Sequence, residues 1–216
     1  MRASLDTAGE LLAIDSSLPW VGDLIAEAAG GELGSEDPRH CSVRIAVEAN
    51  RAPFSTDGWA ILGRDARHRG GETVVVNACT TGFDLHVRCT EEGAEFIYRW
   101  RPPVRERTAA RVLRSRFHLL ARAVLTQYPA LWWAGTRGRA PLHASAFLHD
   151  GLGILVTGWA KGGKTETLLA FMANGAQYVG DEWIYVSSDG RQMYGIPEPM
   201  RIWEYQLAAV PSFRKA

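Results

Sequence analysis

The sequence predicts an α/β chain of two lobes: a small α+β lobe built on an antiparallel meander, then a lobe organised around a strand, a glycine-rich loop and a helix. Three observations predict it. Between residues 43 and 100 apolar positions recur at every second residue, the period of half-buried strands, with turn residues between the runs. After Pro102-Pro103 they recur at helical spacing. From residue 153 an apolar run enters a loop rich in glycine and leaves it as a second helical pattern.

The elements follow in order. Leu18, Val21, Ile25 and Ala28 have helical spacing, and Gly30-Gly31 supplies a stop, so a short helix is expected over 18–29. Val43, Ile45 and Val47 alternate with Arg44, Ala46 and Glu48 as in a strand. Runs 72–78, 83–89 and 94–100 repeat that period, separated by Thr80-Thr81-Gly82 and Glu91-Glu92-Gly93. Connections this short imply antiparallel neighbours, and residues 1–101 form the first lobe. A helix over 104–128 carries Ala109, Leu113, Phe117, Leu120 and Val124 on one stripe, and 102–139 reads as a link between lobes. Its Arg105, Arg107, Arg111, Arg114, Arg116 and Arg122 read as a solvated face, because long basic side chains usually cover helix surfaces. The second lobe, 140–216, opens with strands over 142–148 and 153–157 joined by His149-Asp150-Gly151. A helix over 164–174 stops at Asn174-Gly175. Strand 177–179, the pair Asp181-Glu182, strand 183–187 and a turn at Ser188-Asp189-Gly190 complete the pattern.

Composition narrows the function classes. The chain has 216 residues, 46% of them apolar, with 24 Lys+Arg against 24 Asp+Glu, so no global charge favours nucleic acid or an anionic membrane. Asp6, Glu10 and Asp15 interrupt what would have to be the apolar core of a secretory signal. The most apolar stretch, 151–160, falls far short of the roughly 20 residues that span a bilayer, and a cytoplasmic location is expected. Cys41, Cys79 and Cys89 lack CxxC spacing and read as small apolar residues rather than a disulfide framework or zinc site. Lys161, Lys164 and Lys215 are the only lysines among the 24 basic residues, and two of them lie in the glycine-rich loop. A retained Lys suggests a site that wants a compact ammonium rather than a planar fork.

That loop, Gly158-Trp159-Ala160-Lys161-Gly162-Gly163-Lys164-Thr165, fits G-x-x-x-x-G-K-[ST], the P-loop pattern. With this chain's own residue frequencies, the pattern arises by accident in about three chains per thousand. Gly158 and Gly163 let successive backbone N–H groups turn inward toward phosphate oxygens, Lys164 reaches the β and γ phosphates, and the Thr165 hydroxyl ligates magnesium. Lys161 adds to the field, and the following helix contributes its N-terminal partial charge. Asp181 and Glu182, at the end of a strand beside the loop, can hold magnesium or take a proton from an attacking hydroxyl. His143 sits on the strand hairpin that feeds the loop, where a structural role and a functional one are both open.

Residues 140–206 resemble a known family. Leu142-His143-Ala144-Ser145-Ala146, the hairpin through Gly158, Gly162-Gly163-Lys164-Thr165-Glu166-Thr167, Gly175, and Gly180-Asp181-Glu182 are similar in order and spacing to the catalytic segment of HPr kinase/phosphorylase and its relatives. The resemblance implies a PEP-carboxykinase-like P-loop fold and ATP-dependent phosphorylation of a serine-type hydroxyl on a protein, peptide or small molecule. It implies that Asp181 is the base with His143 beside it and Lys164 in the catalytic set. Loop 158–165 with Glu166 would hold ATP, and Thr165, Asp181 and Glu182 would face Mg2+. Glu182 stands where true HPr kinases carry a second Asp, which matches the HPr-kinase-related branch, and Ile196-Pro197-Glu198-Pro199-Met200-Arg201 resembles that branch's Pro-rich turn. The family's core continues well past the acidic pair, so either the chain is a fragment or a homo-oligomer completes the sheet. The alternative expectation is a nucleotide-binding accessory or regulatory protein of a peptide-modification or transport system, without efficient transfer.

Overall fold

The computed structural model describes residues 1–7, 9–28, 33–34, 41–196, 200–210 and 213. The expected helix stop at Gly30-Gly31, the Pro197-Glu198-Pro199 part of the Pro-rich turn, and Lys215 lie outside the described residues. The chain divides into two compact units, one of Met1–Asp6 with Glu10–Trp133, the other of Thr7–Gly9 with Ala134–Ala216. No helix among the described residues is long and apolar enough to cross a membrane.

The first unit is built on an eight-stranded mixed sheet. Its strands are β1 (Arg2–Thr7), β2 (Glu10–Ser16), β3 (Val43–Glu48), β4 (Ala60–Ile61), β5 (Ala66–Arg69), β6 (Glu72–Val75), β7 (Phe83–Cys89) and β8 (Ala94–Trp100), in the spatial order β1-β2-β3-β8-β7-β6-β5-β4. The meander from β4 to β8 is antiparallel, as the short connections predict. The other half corrects the expectation, because β2 pairs parallel with β3 and β3 parallel with β8. Helix α1 (Pro19–Ala28) follows β2 and precedes β3, and a crossover of that length returns the chain in the same direction. Leu12, Ile14, Ile45, Phe83, Phe96 and Tyr98 are buried along these strands, with Val21 and Ile25 of α1. Burial of each such side chain contributes about 1.5–3 kcal/mol.

The single helix expected over 104–128 is a broken run. Helix α2 (Val104–Val112) ends at Leu113, whose φ of −108° and ψ of 50° are not helical. Helix α3 (Arg114–Arg122), a π-helical turn at Ala123–Gln127 and helix α4 (Tyr128–Thr136) follow. The anchors lie late in the run: Ala121, Val124 and Leu125 are buried, and the Tyr98 hydroxyl donates to the Val124 carbonyl at 2.6 Å. Nothing in α2 is buried, so no packing holds it in line with α3. This run falls within the first unit through Trp133.

The second unit holds a curled antiparallel sheet. Strand β9 (Arg139–His149) is its spine, bordered by β10 (Leu152–Thr157) on one edge. On the other edge it pairs first with β12 (Trp183–Ser187) and then with β11 (Gln177–Gly180), and β12 pairs outward with β13 (Met193–Gly195). Helix α5 (Lys164–Met172) joins β10 to β11, and helix α6 (Glu204–Ala209) lies near the end of the chain. Side chains alternate along β9 as the strand period requires. Ala144 and Ala146 pack with Ile184 on one face, while Phe147 packs with Leu168 and Ala176 on the face covered by α5.

Candidate functional site

Pairing to β9 fixes where the glycine-rich loop and the acidic pair meet. Strands β10 and β11 are both antiparallel to β9, so they run parallel to each other with β9 between them. Their C-terminal ends, Thr157 opposite Ala144 and Gly180 opposite Ala146, open at one end of the sheet. Ligand crevices of open α/β sheets lie at that end. Loop 158–163 leaves the first strand there and Asp181-Glu182 leave the second.

The loop then turns into α5. The Gly162 amide donates to the Trp159 carbonyl at 3.0 Å, a Cβ at Gly162 would lie 2.9 Å from that oxygen, and Gly163 has a φ of +85°. This close, left-handed path suits glycine. The first N–H groups of α5 have no partner within the helix. Lys164, only 9% exposed, donates from Nζ to the carbonyls of Gly158 at 3.2 Å and Trp159 at 3.3 Å, so its ammonium lies inside the curl of the loop.

Asp181 is the buried acid of the site, 6% exposed. Ser145 Oγ on β9 donates to its Oδ1, and Thr165 Oγ1 on the first turn of α5 donates to its Oδ2 at 3.1 Å. A carboxylate at this depth is costly without donors, and two hydroxyls offset that cost. Ser145 is fully buried and alternates with Ala144 and Ala146, so the strand period puts it on the α5 side with Phe147, where it meets Asp181.

Glu182 belongs to a different group. Its carboxylate lies 3.3 Å from His143 Nε2 and 4.0 Å from an Arg201 nitrogen, and its φ of +78° is a left-handed conformation uncommon for a residue with a side chain. His143 also faces the Trp183 ring, with centroids 5.9 Å apart.

A cavity of about 240 Å³ unites these groups. His143, Ala160, Lys161, Gly162, Gly163, Lys164, Thr165, Glu166, Asp181 and Glu182 all line it. Gly158 lies beside it through its carbonyl contact with Lys164, whereas the Trp159 side chain stands 91% exposed. Sequence reasoning missed Ser145 as a partner of Asp181, and it missed Trp203, Tyr205 and Gln206, which bring α6 to the cavity wall. Ser145 has no motif of its own. The six residues of α6 are too few to show a periodic pattern that marks a helix.

For Mg2+, Thr165 Oγ1 and Asp181 Oδ2 are two oxygens already within hydrogen-bond reach of each other beside the loop. Among the described residues no group of three or more His, Cys, Asp and Glu side chains is arranged to hold a metal. One carboxylate and one hydroxyl suit magnesium that shares its remaining positions with phosphate oxygens and water. The residues present fit that use.

Compared with protein-family models, curated proteins and solved structures, the chain matches none.

Proposed function

We propose that the second unit is a P-loop kinase lobe that transfers the γ-phosphoryl group of MgATP to a serine-type hydroxyl of a protein, peptide or small molecule. The observation that carries this reading is the joint presence, in one cavity, of a buried Asp181 bonded to Thr165 and of Lys164 held inside a glycine-rich curl. An acid and an ammonium so placed divide the work of the reaction.

MgATP, when bound, supplies the group transferred and the charge that must be neutralised. Loop 158–165 binds the phosphates through backbone N–H groups and the N-terminus of α5. The Lys164 ammonium, which donates to the Gly158 and Trp159 carbonyls, would be drawn to phosphate oxygens, which are stronger acceptors because they are charged. Thr165 and Asp181 would hold magnesium through their oxygens. Asp181 accepts the proton of the acceptor hydroxyl, and Ser145 keeps that carboxylate oriented. His143, paired with Glu182 at 3.3 Å, would help position the acceptor.

The test is transfer of labelled phosphate from ATP to serine-containing peptides by wild type and Asp181→Asn. The kinase reading expects transfer by wild type and a loss of about 10²–10⁴-fold in the variant, with nucleotide binding retained. Nucleotide binding without transfer by either protein would favour the accessory role, and no nucleotide binding at all overturns the P-loop reading itself.

A further inference from the structure

The arginine-rich helices of the first unit contain more than a solvated face. Residues 104–122 hold six arginines against one glutamate, Glu106, in a chain whose net charge is zero. Glu106 already accepts from Asn77 Nδ2 at 3.4 Å. Among the described residues no carboxylate pairs with Arg105, Arg111 or Arg116. The segment therefore carries a local positive charge that the fold does not neutralise.

The same helices leave apolar surface open. A groove of about 260 Å³ runs between α2 and α3, floored by Ala109, Ala110, Leu113, Phe117 and Leu120, with Arg105 and Arg116 on its flanks against the single carboxylate of Glu106. Val104 and Val112 stand 77% and 75% exposed at the two ends of α2. Helix α2 has nine residues and buries none of them. Isolated helices shorter than about 12–15 residues are marginal in water, so α2 gains little from its own propensity and has a face to offer a partner.

We propose that this groove docks an acidic amphipathic helix of a partner protein or peptide. Apolar side chains at i, i+3 or i+4 and i+7 would fill the Ala109–Leu113–Phe117 floor, and Asp or Glu on the flanks would meet Arg105 and Arg116. Charge complementarity selects an acidic partner. The apolar floor selects a peptide over nucleic acid, whose backbone would satisfy the arginines and leave the floor uncovered. This inference does not depend on the kinase reading, because every residue in it belongs to the first unit.

The test uses the full chain and a fluorescent 16-residue peptide with Leu at helical spacing and Glu between. Controls are the same peptide with Ser for Leu, and a single-stranded and a duplex oligonucleotide of equal charge. Expected are saturable binding of the Leu peptide, at least about tenfold weaker binding of the Ser peptide and of an Arg105→Glu/Arg116→Glu variant, and slower amide exchange in α2 on binding. The exposure of both arginines keeps that variant folded, which circular dichroism checks. Oligonucleotides that bind as tightly as the Leu peptide, a Leu peptide that does not bind, or a charge-reversed variant that binds it equally would each overturn the proposal.

Discussion

Thr165 Oγ1 and Asp181 Oδ2 are joined by a hydrogen bond of 3.1 Å, which ties the first turn of α5 to the end of β11. The bond spans 16 residues of sequence and joins two residues of the cavity lining. Under the kinase reading it links the metal-binding hydroxyl to the base. Thr165→Val removes the hydroxyl at nearly constant volume. Transfer should fall and its magnesium requirement should rise, whereas Thr165→Ser should retain both, as measured by initial rates against Mg2+ concentration.

Lys164→Met should weaken nucleotide binding. A hydrogen bond to a charged group is worth about 1.5–3 kcal/mol, so loss of the ammonium corresponds to about ten- to hundredfold in affinity, read by calorimetric titration with ATP. The fold should hold, because Met fills the same space without a charge at a position 9% exposed.

Ser145→Ala should destabilise the second unit by about 1–3 kcal/mol, because it removes one of the two hydroxyls from a buried carboxylate. Urea unfolding checks the loss. Adding Asp181→Asn to Ser145→Ala should recover part of it, since a neutral amide costs less to bury than a carboxylate with a missing donor.

Tyr98→Phe should cost the first unit about 1–3 kcal/mol by leaving the Val124 carbonyl without its buried donor. The position reports whether the π-helical turn at Ala123–Gln127 is held by that bond, and amide exchange in α3 and α4 should quicken in the variant.

Glu72 provides a pH signature. The hydrogen bond from His86 at 2.7 Å, helped by the charges of His86, Arg88 and Arg69, holds its carboxyl below the usual glutamate range. A depressed folded-state value means that the contribution is fully present above the unfolded value and disappears as pH falls through the folded one. Denaturation midpoints of wild type and Glu72→Gln should differ near neutral pH and converge as the solution is acidified below about pH 4.

Much of the framework was legible from periodicity. Residues 83–89 and 94–100 are observed as strands at those bounds, because Phe83, Leu85 and Val87, and Phe96 and Tyr98, recur at every second position, although Asp84, His86 and Ile97 between them are buried too. Strands β1 and β2 were not legible, since β1 buries Ser4 and Thr7 beside Leu5 and so lacks an apolar alternation. The parallel pairing of β3 with β8 is a long-range choice that no local signal encodes. In the site, Lys164, Thr165 and Asp181 were marked by spacing, whereas Ser145 depends on the register of β9, and the α6 wall depends on tertiary packing alone.

Because β9 serves three neighbours at once, the tolerance of the second unit to insertions should be sharply uneven. One extra residue between Ala144 and Ser145 would flip every side chain beyond it to the opposite face, sending Ser145 away from Asp181 and Phe147 away from α5. An extra residue at the Asp150-Gly151 turn would shift none of those pairings. The reading frame of a single strand thus governs both whether this half of the molecule assembles and whether its acid is aimed.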